Sequence, residues 1–379
     1  MCAGCSRISS LKCWGNPSVS PNTMKSFAYR NKLIPMDPTA NRRAAARDVA
    51  LLAGVSTATV SRALNTPGAV DPETLKRVQD AVKKLRYVPH GGARALRSQR
   101  SRMVGAIVPS FDYALYARTT SALQRRLGDH GYSLVLAEHH YDLQQELQVT
   151  RQLIEHAVDA FMLVGVDHDS RLFSLLEDYG RPYVLTWGVD GSNRHPCIGF
   201  DNRAAGFAVA RHVLDLGHTD IAILSAPLEG NDRGRERVAG FRAALAESGV
   251  PQPRTVYAQR INLADAEEAM QALLQRHDRP TAVLATNDVM AVGAMLACRK
   301  AGVRIPEDLS ITGIDNTDLG ATQVPGLTSV RTPIMEIGTA AAEQLIARLE
   351  GQTAAPNEAM PFEVVVRGST AAPAAREPA

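Results

Sequence analysis

The chain has 379 residues, 45% hydrophobic and 21% charged, a composition of ordinary globular domains and a length for two or three of them. It contains no uninterrupted apolar run of the ~18 residues that a membrane span needs and no compact apolar stretch of the secretory kind near its start, so a cytoplasmic location without a membrane partner is expected. The net charge of +3 hides an asymmetry: residues 42–102 hold 13 Lys/Arg against 4 Asp/Glu, residues 1–41 hold 5 against 1, and the remainder is acidic, which points to a polyanion gripped by one end only.

Residues 1–44 mix Cys, Ser, Asn and Pro without periodicity and are expected to be a disordered extension. Cys2 and Cys5 have a zinc-ligand spacing, but with Cys13 they make three thiols where a structural site needs four ligands. Five Cys in all fit reduced thiols, with no metal and no cofactor.

Residues 45–88 predict a small all-helical domain. One helix covers Asp48 to Ala53, Gly54-Val55-Ser56 forms a turn, and Ser56 caps a second helix over Thr57 to Leu64. Asn65-Thr66-Pro67-Gly68 ends that helix, and Asp71 then caps a third, with Pro72 at its first position. Leu75, Val78, Val82 and Leu85 form its apolar stripe, faced by Val49, Leu52, Val55, Val60 and Leu64. Residues 89–102 are a short basic hinge. From 103 to 368 strands alternate with helices: strands at 103–110, 132–139, 160–166, 182–188, 220–226, 282–288 and 310–315, and helices at 117–130, 143–157, 170–179, 203–216, 235–248, 264–276 and 289–301. Such alternation predicts parallel sheets covered on both faces, and about 260 residues favour two lobes, with ligands at the carboxyl ends of the strands. Residues 369–379, "STAAPAAREPA", are expected to be a flexible tail; without Leu heptads they offer no tetramer-forming coiled coil, so a dimer is expected.

The phrases "RDVALLAGVSTATVSRALN" and "VDPETLKRVQDAVKKLRYVPHGGARALRS" resemble the headpiece and hinge of the lac repressor family. "VGAIVPSFDYALYAR", "GFDNRAAG", "LGHTDIAILSA", "RERVAGFRAAL", "TAVLATNDVMAVGAM" and "GVRIPEDLSITGIDN" follow in that family's order, so the resemblance spans about residues 45–368. It implies a helix-turn-helix headpiece on a two-lobed α/β core like the periplasmic binding proteins. The implied function is sequence-specific regulation of transcription, as a homodimeric repressor released from double-stranded operator DNA by a small effector. An activator or a corepressor-dependent regulator is the alternative within the family.

On this reading the second helix lies in the major groove. Thr57, Ala58 and Arg62 read base edges, Arg62 having the fork that suits guanine. Ser56, Thr59, Ser61 and Asn65 hold phosphates, which position without specifying. In the hinge, Ala93 to Arg97 resembles a helix that forms on DNA, with Leu96 as the minor-groove wedge and Arg94 and Arg97 on phosphates. Gly91-Gly92 departs from the family and weakens that helix. In the core, Arg237, Asp315 and Asn287 correspond to effector contacts. Tyr113 stands where most relatives have an Asn-Pro pair, Tyr116 is the apolar wall, and Trp187 is placed to stack on a sugar ring. Asp288 is expected to cap the helix after its strand, and Asn231, Asp232, Arg233 and Arg235 to form a polar loop before Arg237. So much Arg suggests a sugar acid as effector, with a neutral sugar the other possibility. No enzyme is expected: Cys197 and Cys298 are isolated, the His residues lack metal-like spacing to carboxylates, and no Gly-rich phosphate loop is present. A solute-binding protein of transport would share the core but not the basic head.

Overall fold

The computed structural model describes residues 44–88, 100–192, 194–353 and 359–374. The chain divides into two compact units at Pro89.

The described residues of the first unit form three helices, α1 (Ala46–Ala53), α2 (Thr57–Asn65) and α3 (Pro72–Lys84), with a 3-10 turn at Pro67–Ala69. Gly54, at φ +65°, ends α1 in the left-handed conformation that glycine adopts without strain. The Ser56 hydroxyl accepts the Thr59 N–H at 3.1 Å, and the Asp71 carboxylate accepts that of Thr74 at 3.0 Å, so both caps lie where the sequence places them. The core is built from small side chains, Val49, Ala50, Ala53, Val60, Ala63, Val78 and Ala81. Leu52 is not part of it, against expectation: at 45% exposed it turns outward beside Leu51, and Ala53 fills the inward position.

The second unit has two lobes. In the first, β1 (Met103–Val108), β2 (Ser133–Glu138), β3 (Ala160–Val164), β4 (Tyr183–Thr186) and β5 (Cys197–Ile198) form a parallel sheet in the order β2-β1-β3-β4-β5. It is flanked by α4 (Ala114–Asp129), α5 (Leu143–Glu155) and α6 (Ser170–Asp178). The second lobe holds α7 (Asn202–Asp215), β6 (Ile221–Ser225), α8 (Asp232–Glu247), β7 (Arg254–Tyr257), α9 (Leu263–Leu274), β8 (Ala282–Ala285), α10 (Asp288–Ala301), β9 (Ser310–Asp315), the short α11 (Asp318–Ala321) and β10 (Thr328–Arg331). After β10 the chain returns to the first lobe as α12 (Ile334–Leu349), packs on α4, β3 and β4, and comes back to add β11 (Glu363–Val365) antiparallel to β10. The second sheet runs β11-β10-β9-β8-β6-β7. Near the crossing, the Met360 N–H donates to the Gly199 carbonyl at 2.8 Å.

Glycines set two helix contacts that position the site. A Cβ on Gly240 of α8 would stand 2.0 Å from the Arg203 carbonyl of α7, and one on Gly206 of α7 would stand 2.4 Å from the Arg237 carbonyl, so the two helices meet backbone to backbone. Gly338 does the same for α12, 2.2 Å from the Thr119 carbonyl of α4.

The second-lobe end of the chain departs from expectation. Ser369 is fully buried; its hydroxyl donates to the Ile311 carbonyl at 2.6 Å and accepts the Thr328 N–H at 2.9 Å. Ala371 accepts from His218 Nε2 at 2.8 Å. Residues 369–371 are therefore stitched into the second lobe rather than free, because the otherwise unpaired groups around β9 use them as partners. Residues 375–379 and the predicted extension up to residue 43 lie outside the described residues.

Candidate functional site

The structure offers two sites, one in each unit. In the first, Ser56, Thr57, Ala58, Arg62 and Asn65 are exposed along α2, with Thr59 and Ser61 half-buried beside them, so every predicted base- or phosphate-facing residue of the helix lies on or next to its open side. Local hydrogen bonds stiffen that surface. The Ser56 and Thr59 hydroxyls are 3.0 Å apart, and Asn65 Nδ2 donates to the Ser61 carbonyl at 2.8 Å. Arg62 is exposed to solvent. The predicted hinge contacts Ala93, Arg94, Leu96 and Arg97 lie outside the described residues.

The second site is the cleft between the lobes. All six residues expected there converge. Arg237, on α8, is buried, and each guanidinium nitrogen donates one hydrogen bond, which leaves a second N–H on each Nη: Nε donates to Asn202 Oδ1 at 2.8 Å, Nη1 to the Thr286 carbonyl at 2.9 Å, and Nη2 to Asp315 Oδ1 at 2.9 Å. Its carbon lies 5.9 Å from the Phe200 ring centroid, a cation–π contact. Asp315, fully buried at the end of β9, accepts a short hydrogen bond from the Tyr113 hydroxyl of the first lobe through its other oxygen. Burial pushes the Asp315 carboxyl up, and Arg237 and the Tyr113 hydroxyl pull it down. Burial and the facing carboxylate also push the Tyr113 phenol well above its usual value.

Tyr113, Tyr116, Trp187 and Phe200 make an edge-to-face chain with ring centroids 5.7, 6.1 and 6.2 Å apart. Trp187 is fully buried and its indole N–H has no hydrogen-bond partner. It stands edge-on to Tyr116 and Phe200, so it builds the wall rather than offering an open stacking face. Trp187 (φ +70°) and Asp315 (φ +113°) both hold backbone angles costly for side-chain-bearing residues, at the carboxyl ends of strands where the two lobes face each other.

Two role assignments change. Asn287, not Asp288, caps α10: its Oδ1 accepts the Met290 N–H at 2.9 Å, while the residue still lines the cleft. Asp288 points the other way. It accepts the Thr317 hydroxyl at 2.8 Å and the Ser329 hydroxyl at 2.6 Å, and so holds the loop that follows Asp315. Burial, with Asp315 nearby, pushes its pKa up to about 7. The stretch from Asn231 is also not a loop: Asn231 caps α8, its Oδ1 accepting the Gly234 N–H at 3.1 Å, and Asp232 and Arg233 form the buried first turn.

That turn also makes contacts across the cleft that the sequence did not foresee. Arg233 is paired with Asp232 at 2.5 Å and reaches the first lobe, where Nη1 donates to the Val164 carbonyl at 3.3 Å. Asp232 accepts the Val166 N–H at 3.0 Å. Further out, Arg235 grips Asp167 through both nitrogens at 2.7 and 2.9 Å, and Arg118 meets Asp318 at 2.8 Å. The lobes are thus drawn together. Inside, a pocket of about 20 Å³, room for about one water, is lined by Tyr113, Tyr116, Tyr141, Trp187, Arg233 and Arg237. Beside it, sharing Tyr113, Tyr141, Asn231 and Ile261, is a cavity of about 410 Å³ between Ser110, Asp112 and Tyr141 on one side and Asn231, Gln259 and Asn262 on the other. The larger volume falls in the range of small-molecule sites.

Among the described residues, the two cysteines lack the features of an activated thiolate. Cys197 and Cys298 are buried, which pushes both thiols up to about 12.

Residues 46–90 match the family "Bacterial regulatory proteins, lacI family", and residues 210–370 match a periplasmic binding protein-like domain. The chain is 33% identical over 333 residues to the HTH-type transcriptional regulator DegA of Bacillus subtilis, covering 85% of this chain and 97% of that protein. It is 31% identical over 307 residues to the transcriptional repressor PurR of Aliivibrio salmonicida, covering 80% of this chain and 92% of that protein. Among solved structures, the lac repressor dimer bound to operator and the anti-inducer ONPF superposes with a TM-score of 0.77 at 25% identity, over 87% of this chain and all of that one. The transcriptional regulator CelR in complex with cellobiose gives 0.64 at 28% identity, over 86% of this chain and 100% of that one.

Proposed function

Because the chain belongs to the lac repressor family of DNA-binding transcriptional regulators, we propose that it is a homodimeric repressor whose hold on operator DNA is released by a small uncharged polyhydroxylated effector. The observation that carries this reading is the convergence of Tyr113, Arg237 and Asp315 from the two lobes onto one pocket. A ligand with vicinal hydroxyls can exchange with the Tyr113 hydroxyl on Asp315 and accept from the Arg237 fork. Both buried guanidiniums already have a carboxylate, Arg237 with Asp315 and Arg233 with Asp232. An additional buried negative charge would find no unbalanced cation, which favours a neutral sugar over the sugar acid that the Arg count suggested. Related regulators support the class: the CelR structure is a cellobiose complex.

The headpiece supplies the other half. Two copies of α2 on a dimer would enter successive major grooves about one helical turn apart, with Arg62 reading a guanine. Effector and operator would compete through a coupling of typically ~1–3 kcal/mol. Random-site selection followed by anisotropy titration of the selected duplex tests the first half, and no preferred sequence at moderate salt would overturn it. Calorimetry with neutral mono- and disaccharides beside their aldonates and uronates tests the second. Tighter binding of an acid than of its neutral parent would overturn the charge argument, and tighter operator binding with ligand would make the ligand a corepressor.

A further inference from the structure

Behind the cleft, where the first turn of α8 meets the first lobe, lies a group of buried polar residues of which only Arg233 also lines the effector pocket. His139 follows β2, is 2% exposed, and neither ring nitrogen makes a hydrogen bond. Glu146, on α5, is fully buried; one oxygen holds His168 Nδ1 at 2.9 Å and the other is unpartnered. His168 Nε2 is 3.1 Å from the Gly165 carbonyl. Arg233 arrives from the second lobe with Nη2 unpartnered.

The charges around His139 decide what it can tolerate. Glu146 on α5 attracts a proton to it, as does the backbone at Asp142, while His168 after β3 and Arg233 on α8 repel one. On its own segment, His140 faces Glu138 at 3.5 Å, and Tyr141 packs with a ring centroid 6.4 Å away. Glu146 is already matched by His168, and Asp232 by Arg233. A proton on His139 would therefore add an unpaired charge in a buried site. Burial accordingly holds its pKa below the usual histidine value, with Arg233 acting in the same direction.

We propose that His139 and Arg233 form a proton-sensitive seal, in which the second lobe seats Arg233 in the first only while the His139 imidazole is neutral, so that cleft closure weakens as the pH falls. The sign follows from which partner moves. The Glu146–His168 pair lies wholly within the first lobe and persists when the cleft opens, so it cancels from the difference. Arg233 leaves on opening, and its repulsion of a proton on His139 leaves with it. The open form thus takes up that proton more readily than the closed form, and closure weakens as the pH falls. Asp232 works in the opposite direction on His168 as the smallest of that group's influences, and it is already held by Arg233.

The test needs neither effector nor DNA, so its failure would leave the proposed function standing. In the full chain with Trp14→Phe, Trp187 becomes the single tryptophan and reports on the cleft wall. Acrylamide quenching of Trp187 and small-angle scattering would be followed from pH 8 to pH 5.5, with circular dichroism to show that the fold is kept. The expectation is a joint rise in quenching and radius of gyration as the pH falls, absent in His139→Gln and reduced in Arg233→Gln. Because these variants lie in different lobes, misfolding of one leaves the other to decide. No pH-dependent opening of the parent protein, or an undiminished pH dependence in a folded variant of either residue, overturns the proposal.

Discussion

Replacing Arg237 by Met keeps most of the side-chain volume but removes the one cation that touches Asp315, Asn202 and the Thr286 carbonyl together. Asp315 is fully buried and would keep only the Tyr113 hydroxyl as a partner. Removing one member of a buried ion pair costs about 3–5 kcal/mol, mostly through the charge left behind. For a domain of this size 1 kcal/mol moves Tm by roughly 2–4 °C, so the core transition is expected to fall by about 6–20 °C. Asp315→Asn on the same background removes the stranded charge and should restore more than half of that loss, a coupling of about 1–3 kcal/mol, while leaving effector binding abolished in calorimetry. Differential scanning calorimetry of the full chain, with the parent, two single variants and the double variant, closes the cycle. A single-variant loss below ~1 kcal/mol, or a double variant as unstable as the two losses added, would show that the pair is not the buried linchpin described.

Arg62→Ala should cost about 1–3 kcal/mol on the preferred operator and relax the requirement for one guanine in each half-site; anisotropy titrations on the selected duplex and its substituted forms measure both, and a uniform loss on all sequences would make Arg62 a phosphate contact instead. Gly240→Ala drives a methyl into the Arg203 carbonyl, against which it would stand at 2.0 Å, so it should unfold the core or shift α7 from α8 and lower effector affinity; an unchanged Tm with normal binding refutes the close-packing argument. For Asp288, the native pKa of about 7 lies above the unfolded value of 3.8. Its contribution to stability is therefore fully present below pH ~4 and lost as pH rises through ~7, so Asp288→Asn should flatten the decline in core Tm between pH 5 and 8, and an unaltered slope would assign that decline to other groups.

Much of this was legible in the sequence because it is written in short-range terms. The caps at Ser56 and Asp71, the turn at Gly54 and the apolar steps through Val78 depend on neighbours within a turn or two of helix, and the structure repeats them. The strand runs were equally plain where a strand is buried on both faces, as in β3 and β9. Edge strand β7, with three half-buried residues and one exposed, lacks that signature and was not foreseen. Neither was α12, although Ile334, Ile337, Gly338, Ala341, Ala342 and Leu345 recur at three- and four-residue steps, because three of those six positions are Gly or Ala and carry little apolar signal. Leu52 was misplaced because a leucine at a helical step looks like core until the neighbouring Ala53 is seen to fill the space.

The identity of the cleft residues was accessible through resemblance, but their partners were not. Tyr113 and Asp315 are 202 residues apart, and Arg237 and Asp315 are 78 apart. No local pattern records that the ends of β9 and of the first-lobe strands face each other. Arg233 and Arg237 look alike in the sequence, one helical turn apart. Tertiary structure alone places one against Asp315 and sends the other across the cleft to the Val164 carbonyl. Local composition determined which elements form and where they stop. The pairing of charges, on which the proposal of a neutral effector rests, was decided only when two lobes brought distant strand ends within hydrogen-bonding distance, because electrostatic partners are set by distance in space and desolvation, not by order in the chain.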